Sequence, residues 1–106
     1  GLKIAMIGKW CKETVYHPAG ASIDDLGTPF MGQGSGYVPT PVTISPLTGL
    51  QAAAQDAASI EWSADASAAK GADVAIICAS ACDVHEGWDR MNFSLPEAQE
   101  LVTAVK

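Results

Sequence analysis

Ala72-Asp73-Val74-Ala75-Ile76-Ile77-Cys78-Ala79 is apolar apart from its single Asp, and is too short for a stable helix. Its β-branched residues make it a buried strand. Downstream, residues 97–105 carry a helical pattern, with Leu95, Leu101, Val102 and Val105 as its apolar stripe. Ser94 stands where it can cap this helix, and Glu97 three positions on completes a capping box. Between strand and helix lies the polar segment Val84-His85-Glu86-Gly87-Trp88-Asp89-Arg90-Met91-Asn92-Phe93-Ser94-Leu95-Pro96. In open α/β sheets a loop leaving the carboxyl end of a strand is where ligands bind. His85, Glu86, Trp88, Asp89 and Arg90 are therefore the candidate site.

Upstream, Leu2-Lys3-Ile4-Ala5-Met6-Ile7-Gly8 has the length and composition of another buried parallel strand. A dinucleotide-binding turn would need three spaced glycines after it, and the sequence offers only Gly8 before Lys9-Trp10-Cys11. From Trp10 to Pro46, prolines at 18, 29, 39, 41 and 46 and glycines at 20, 27, 32, 34 and 36 keep the backbone irregular. Loops of this length are usually functional. Met31-Gly32-Gln33-Gly34-Ser35-Gly36-Tyr37-Val38-Pro39 reads first as a tight turn without room for side chains. Close approach of its backbone to a ligand or partner domain is the functional alternative.

Ser45 caps a first helix with Pro46 at its first position, and Leu47, Leu50 and Ala54 share one face. Residues 58–62 form a second strand. A short helix over 65–70 follows, with Asp65 as N-cap and Gly71 as its end. Strands alternating with helical segments give an α/β fold on a parallel sheet with right-handed crossovers. Three strands leave an edge that continues into further sequence or packs on a partner.

The chain has 106 residues, 48% hydrophobic and 17% charged, which is one globular domain rather than a disordered chain. Twelve acidic residues against six basic ones give a net charge of −6, and no basic cluster argues for nucleic acid as a partner. No apolar run reaches the roughly 18 residues a membrane span requires. Cys11, Cys78 and Cys82 lack metal-site spacing. They read as buried or partly buried free thiols, with a bridge from Cys11 to Cys78 or Cys82 open if their strands are neighbours. The compartment stays undecided. Tyr16, His17, Asp24 and Asp25 lack a diagnostic metal spacing, so neither a metal nor a cofactor is expected.

Taken in order, Lys3-Ile4-Ala5-Met6-Ile7-Gly8, Gly34-Ser35-Gly36-Tyr37-Val38, Pro46-Leu47-Thr48-Gly49-Leu50, Ala72-Asp73-Val74-Ala75-Ile76, Glu86-Gly87-Trp88-Asp89-Arg90 and Ser94-Leu95-Pro96 resemble the C-terminal sandwich domain of family 3 glycoside hydrolases. The motifs are individually weak, but their order covers nearly the whole chain. The resemblance implies a three-layer α/β sandwich of which residues 1–106 are the first half. It also implies a β-glucosidase-like retaining hydrolase whose aspartate nucleophile sits on a separate N-terminal barrel. Retention needs two carboxyl groups about 5–5.5 Å apart, and the resemblance places one of them outside this chain. The chain alone is therefore not expected to be a competent glycosidase, and its start at Gly1 without Met suggests a processed chain or a fragment.

Glu86-Gly87-Trp88-Asp89-Arg90 matches a family pattern on the active-site side of the domain. In some members the general acid/base lies near Glu86, and in many it lies further along the chain. Glu86 is thus either a catalytic acid/base or a carboxylate organising its loop. Asp89 and Arg90 suit loop anchoring, Arg90 through a bidentate contact. His85 could share in proton transfer or simply be solvated. Trp88 suits a sugar-stacking platform or a plug at a domain interface. Expected partners are carbohydrate, in an intact enzyme, and the barrel domain or other subunits. The competing reading is a non-catalytic structural or interaction subunit derived from this domain. A nucleotide-binding domain fits the topology but lacks a phosphate loop.

Overall fold

The structure is a computed structural model that describes residues 1–14, 42–80 and 91–106. Strand β1 (Leu2–Ile7) is followed by a 3₁₀ turn (Lys9–Cys11), helix α1 (Pro46–Ala54) and strand β2 (Ala58–Ser63). A 3₁₀ helix (Ala66–Ala69), strand β3 (Val74–Ile77) and helix α2 (Pro96–Val105) complete the order. The three strands form one parallel sheet in the order β2-β1-β3. The expected α/β class and mostly parallel sheet are therefore present. Most of the long Gly/Pro-rich connection lies outside the described residues.

β1 is the central strand, and its inner half is the best buried stretch of strand among the described residues. Ala5, Met6 and Ile7 are almost wholly buried, and side chains alternate between the two faces of a strand. Met6 packs with Leu47 of α1 and with Cys11, and Leu50, Ile60, Trp62 and Cys78 complete that cluster. Ala5 and Ile7 point to the opposite face. There the 3₁₀ helix packs on β1 and β2, and α2 packs on β3 and on the 3₁₀ helix. Burying side chains of the size of Met6 and Ile7 contributes roughly 1.5–3 kcal/mol each.

The two ends of α1 follow local chemistry. Ser45, itself buried, accepts a hydrogen bond from the Thr48 amide (3.2 Å), and Pro46 occupies the first turn, where its missing N–H is not needed. The second predicted helix is present as a tighter 3₁₀ helix. Asp65 is its N-cap, accepting from the Ser67 amide at 2.9 Å, and Gly71 adopts φ 78° just beyond it. The contact with Ser67 holds the Asp65 carboxyl below its ordinary pKa, mainly through the Ser67 side chain and then its amide.

Three expectations need correction. The capping box on α2 does not form, because Leu95 is the N-cap and Glu97 sits one register position too early. Asn92 Oδ1 instead accepts from both the amide and the hydroxyl of Ser94, a local turn that competes with capping. β3 is less buried than its composition suggested. Val74 and Ile76 remain 44% and 38% exposed, because β3 borders β1 on one side only and α1 lies over β1 and β2. The free-thiol reading fails for two of the three cysteines: Cys11 and Cys78 form a disulfide.

Candidate functional site at the carboxyl end of the sheet

β1 sends its chain toward α1 on one face, and β3 sends its chain toward α2 on the other. Neighbouring parallel strands whose connections diverge to opposite faces leave a crevice at their carboxyl ends. By that rule the ligand crevice is expected between the ends of β1 and β3. Residues 15–41 connect the 3₁₀ turn after β1 to the approach of α1, and residues 81–90 connect the end of β3 to the approach of α2.

The floor of this region is cross-tied around Gly8. Its φ of 104° and ψ of 150° lie in a region open essentially to glycine alone. A Cβ there would stand 2.6 Å from the Cys78 carbonyl oxygen and 3.2 Å from a methyl of Leu101 on α2. Gly8 therefore serves close packing of β3 and α2 against the end of β1. It is no phosphate-binding turn, because the space a ligand would need is filled by backbone and by Leu101. The Gly8 amide donates to Ser63 O at 2.9 Å, and the Gly8 carbonyl accepts from Trp62 Nε1 at 2.9 Å. Both bonds tie the end of β2 to the end of β1.

The other flank is tied covalently. Cys11, wholly buried in the 3₁₀ turn, bridges to Cys78, the residue after β3, across a sequence separation of 67. The Cys78 amide donates to Ile7 O at 2.9 Å and extends the ladder by one bond. Two lysines cover aromatic faces here: Lys9 Nζ lies 4.8 Å from the Trp10 ring centroid and Lys12 Nζ 4.7 Å from that of Trp62. Both distances fit cation–π contact.

The sequence-predicted residues His85, Glu86, Trp88, Asp89 and Arg90 lie outside the described residues, as do Cys82, Tyr16, His17, Asp24, Asp25 and the glycine-rich stretch 31–39. The described chain stops at residue 80, just after Cys78, and resumes at residue 91, ahead of α2. Sequence reasoning missed the cross-ties. Trp62 and Gly8 were both visible as strand-end residues, but nothing in their spacing revealed that the indole meets the glycine carbonyl. Elsewhere, a shallow groove of about 510 Å3 lies beside Ile44, Pro46 and Leu50, with no titratable side chain among its described lining residues. A pocket of about 110 Å3 between Lys3, Glu61 and Lys70 opens beside the 3₁₀ helix. Among the described residues no three His, Cys, Asp or Glu side chains gather to hold a metal, and no helix is long and apolar enough to cross a membrane.

No curated protein and no solved structure matches the chain significantly. The family description "Glycosyl hydrolase family 3 C-terminal domain" matches residues 1–106, the full span of the chain. A domain of that name implies an N-terminal companion in an intact glycoside hydrolase. With its parallel sheet and its helices in the expected order, this chain belongs to the family of glycosyl hydrolase family 3 C-terminal domains.

Proposed function

We propose that the chain forms one wall of the sugar site of a retaining β-glucosidase-like hydrolase, completed by a barrel domain that carries the nucleophile. The observation that supports this reading most is the pairing of the carboxyl ends of β1 and β3, Ile7 beside Ile77, where a parallel sheet offers its ligand crevice and from which the sequence continues into residues 81–90. That segment brings His85, Glu86, Trp88, Asp89 and Arg90. In this reading Glu86 is the candidate acid/base. It would protonate the glycosidic oxygen as the leaving group departs and then take a proton from the attacking water. Trp88 offers an apolar ring for a sugar face, His85 a hydrogen-bonding partner beside it, and Asp89 and Arg90 anchor the loop.

The test is hydrolysis of an aryl β-glucoside by the full polypeptide that carries this chain, with Glu86→Gln beside the parent. Loss of the basic limb of the pH–rate profile, with the glycosyl-enzyme step on an activated leaving group largely spared, supports Glu86 as acid/base. An unchanged rate and profile removes it from that role. The intact mass of the native polypeptide separates this reading from a non-catalytic subunit. A mature protein near the 11.0 kDa of this chain favours the subunit, and one several times larger with an upstream barrel favours the enzyme.

A further inference from the structure

We propose that the Cys11–Cys78 bridge is a permanent clasp on the exit of β3, and that the domain consequently matures in an oxidising compartment. The bond joins the buried 3₁₀ turn after β1 to the first residue beyond β3. Cys11 has no exposed surface and packs with Met6 and Leu47, so its side of the bridge is built into the core. β3 is paired with β1 over only four register positions, Ile4↔Val74 through Ile7↔Ile77, and its Val74 and Ile76 side chains stay exposed. Burial alone holds this strand weakly.

Reduction would force the two sulfurs from bonding distance out to van der Waals separation. Cys78 is only partly buried, so its sulfur is the one free to move. Cys11 is boxed in by the core. The separation therefore falls on the Cys78 side, and the exit of β3 loses its covalent tie to the core. Formation of the clasp is a two-electron oxidation. The two thiols lose two protons and two electrons to an oxidised disulfide of a thiol–disulfide oxidoreductase, which leaves as its dithiol. Secretory and extracellular compartments supply that oxidant, and a cytosol kept reduced does not. The inference stands independently of any sugar site.

Alkylation of the protein from its native source before any reduction, followed by peptide mapping, reads the clasp directly. The expected product is a cross-linked pair of peptides containing Cys11 and Cys78. Recovery of both residues alkylated, or of Cys11 joined to another cysteine such as Cys82, overturns the proposal. Thermal melting of the whole protein with and without a dithiol reductant supplies the second reading. Reduction should lower the domain's transition by roughly 10 °C or more. The Cys11→Ser/Cys78→Ser variant should melt with the reduced wild type and ignore the reductant. If that variant does not fold, the wild-type pair decides: a transition unmoved by reduction overturns the clasp.

Discussion

β2 and β3 flank the same central strand and are held by different means. β2 matches β1 over all six positions, from Leu2↔Ala58 to Ile7↔Ser63, and its end is fastened by two hydrogen bonds to Gly8. β3 matches β1 over four positions. Its beginning is fastened by Asp73, whose amide donates to Lys3 O and whose carboxylate accepts from the Lys3 amide, both at 2.8 Å. Its end is fastened by a covalent bond. The longer strand, covered by α1, keeps its place through ladder bonds and burial. The shorter one, with open flanking side chains, needs a constraint that does not depend on buried area. That constraint sits where the chain leaves for the segment bearing Glu86.

The largest effect that can break this contrast is removal of the bridge. Closing a loop across 67 residues lowers the entropy of the unfolded chain enough to stabilise the fold by about 4 kcal/mol. Urea melts of Cys11→Ser/Cys78→Ser should show a loss of that order. Gly8→Ala comes next. It places a methyl against the Cys78 carbonyl at a φ of 104°, and chemical denaturation should register a loss of about 3 kcal/mol. This change touches both flanks, so it should weaken β3 and the Gly8 bonds to β2 together. Trp62→Phe removes the indole bond to Gly8 O and trims the ring that Lys12 covers, while keeping an aromatic side chain in the cluster. An expected loss of about 1 kcal/mol, also from urea melts, would mark β2 as the flank that tolerates losing one fastening.

The smallest effect concerns Asp65, remote from both clasps. Its folded pKa is depressed by Ser67, chiefly through the hydroxyl contact. A depressed carboxylate contributes stability above its unfolded pKa, and that contribution disappears as pH falls through the folded value. Melts between about pH 5 and pH 2 should therefore lose a small increment on the acid side, one absent from Asp65→Asn.

Much of this architecture was legible in the sequence because it is set by local chemistry. The strand runs at 2–8 and 72–79, the Ser45-Pro46 helix start and the Asp65 cap each depend on residues within a few positions of one another. Ser94 was misread because Asn92, two residues away, offers its hydroxyl and amide a competing acceptor. The bridge and the Trp62–Gly8 contact join positions 67 and 54 residues apart. Only the strand order decides which cysteines and strand ends become neighbours. With β1 central, Cys11 meets the end of β3 and Trp62 meets Gly8. Spacing alone left the cysteine pairing open. Of the candidate site, the sequence supplied the residues at 85–90 and their position after the third strand, and the structure describes the strand end that precedes them.

Amide hydrogen exchange tests the contrast between the flanks most directly. The Cys78 amide, bonded to Ile7 O, reports on the clasped flank, and the Gly8 amide, bonded to Ser63 O, reports on the other. On addition of a dithiol reductant under native conditions, the Cys78 amide should lose protection by about tenfold or more while the Gly8 amide keeps most of its own. Equal loss at both amides, or retention at both, would contradict the claim that the bridge holds the exit of β3.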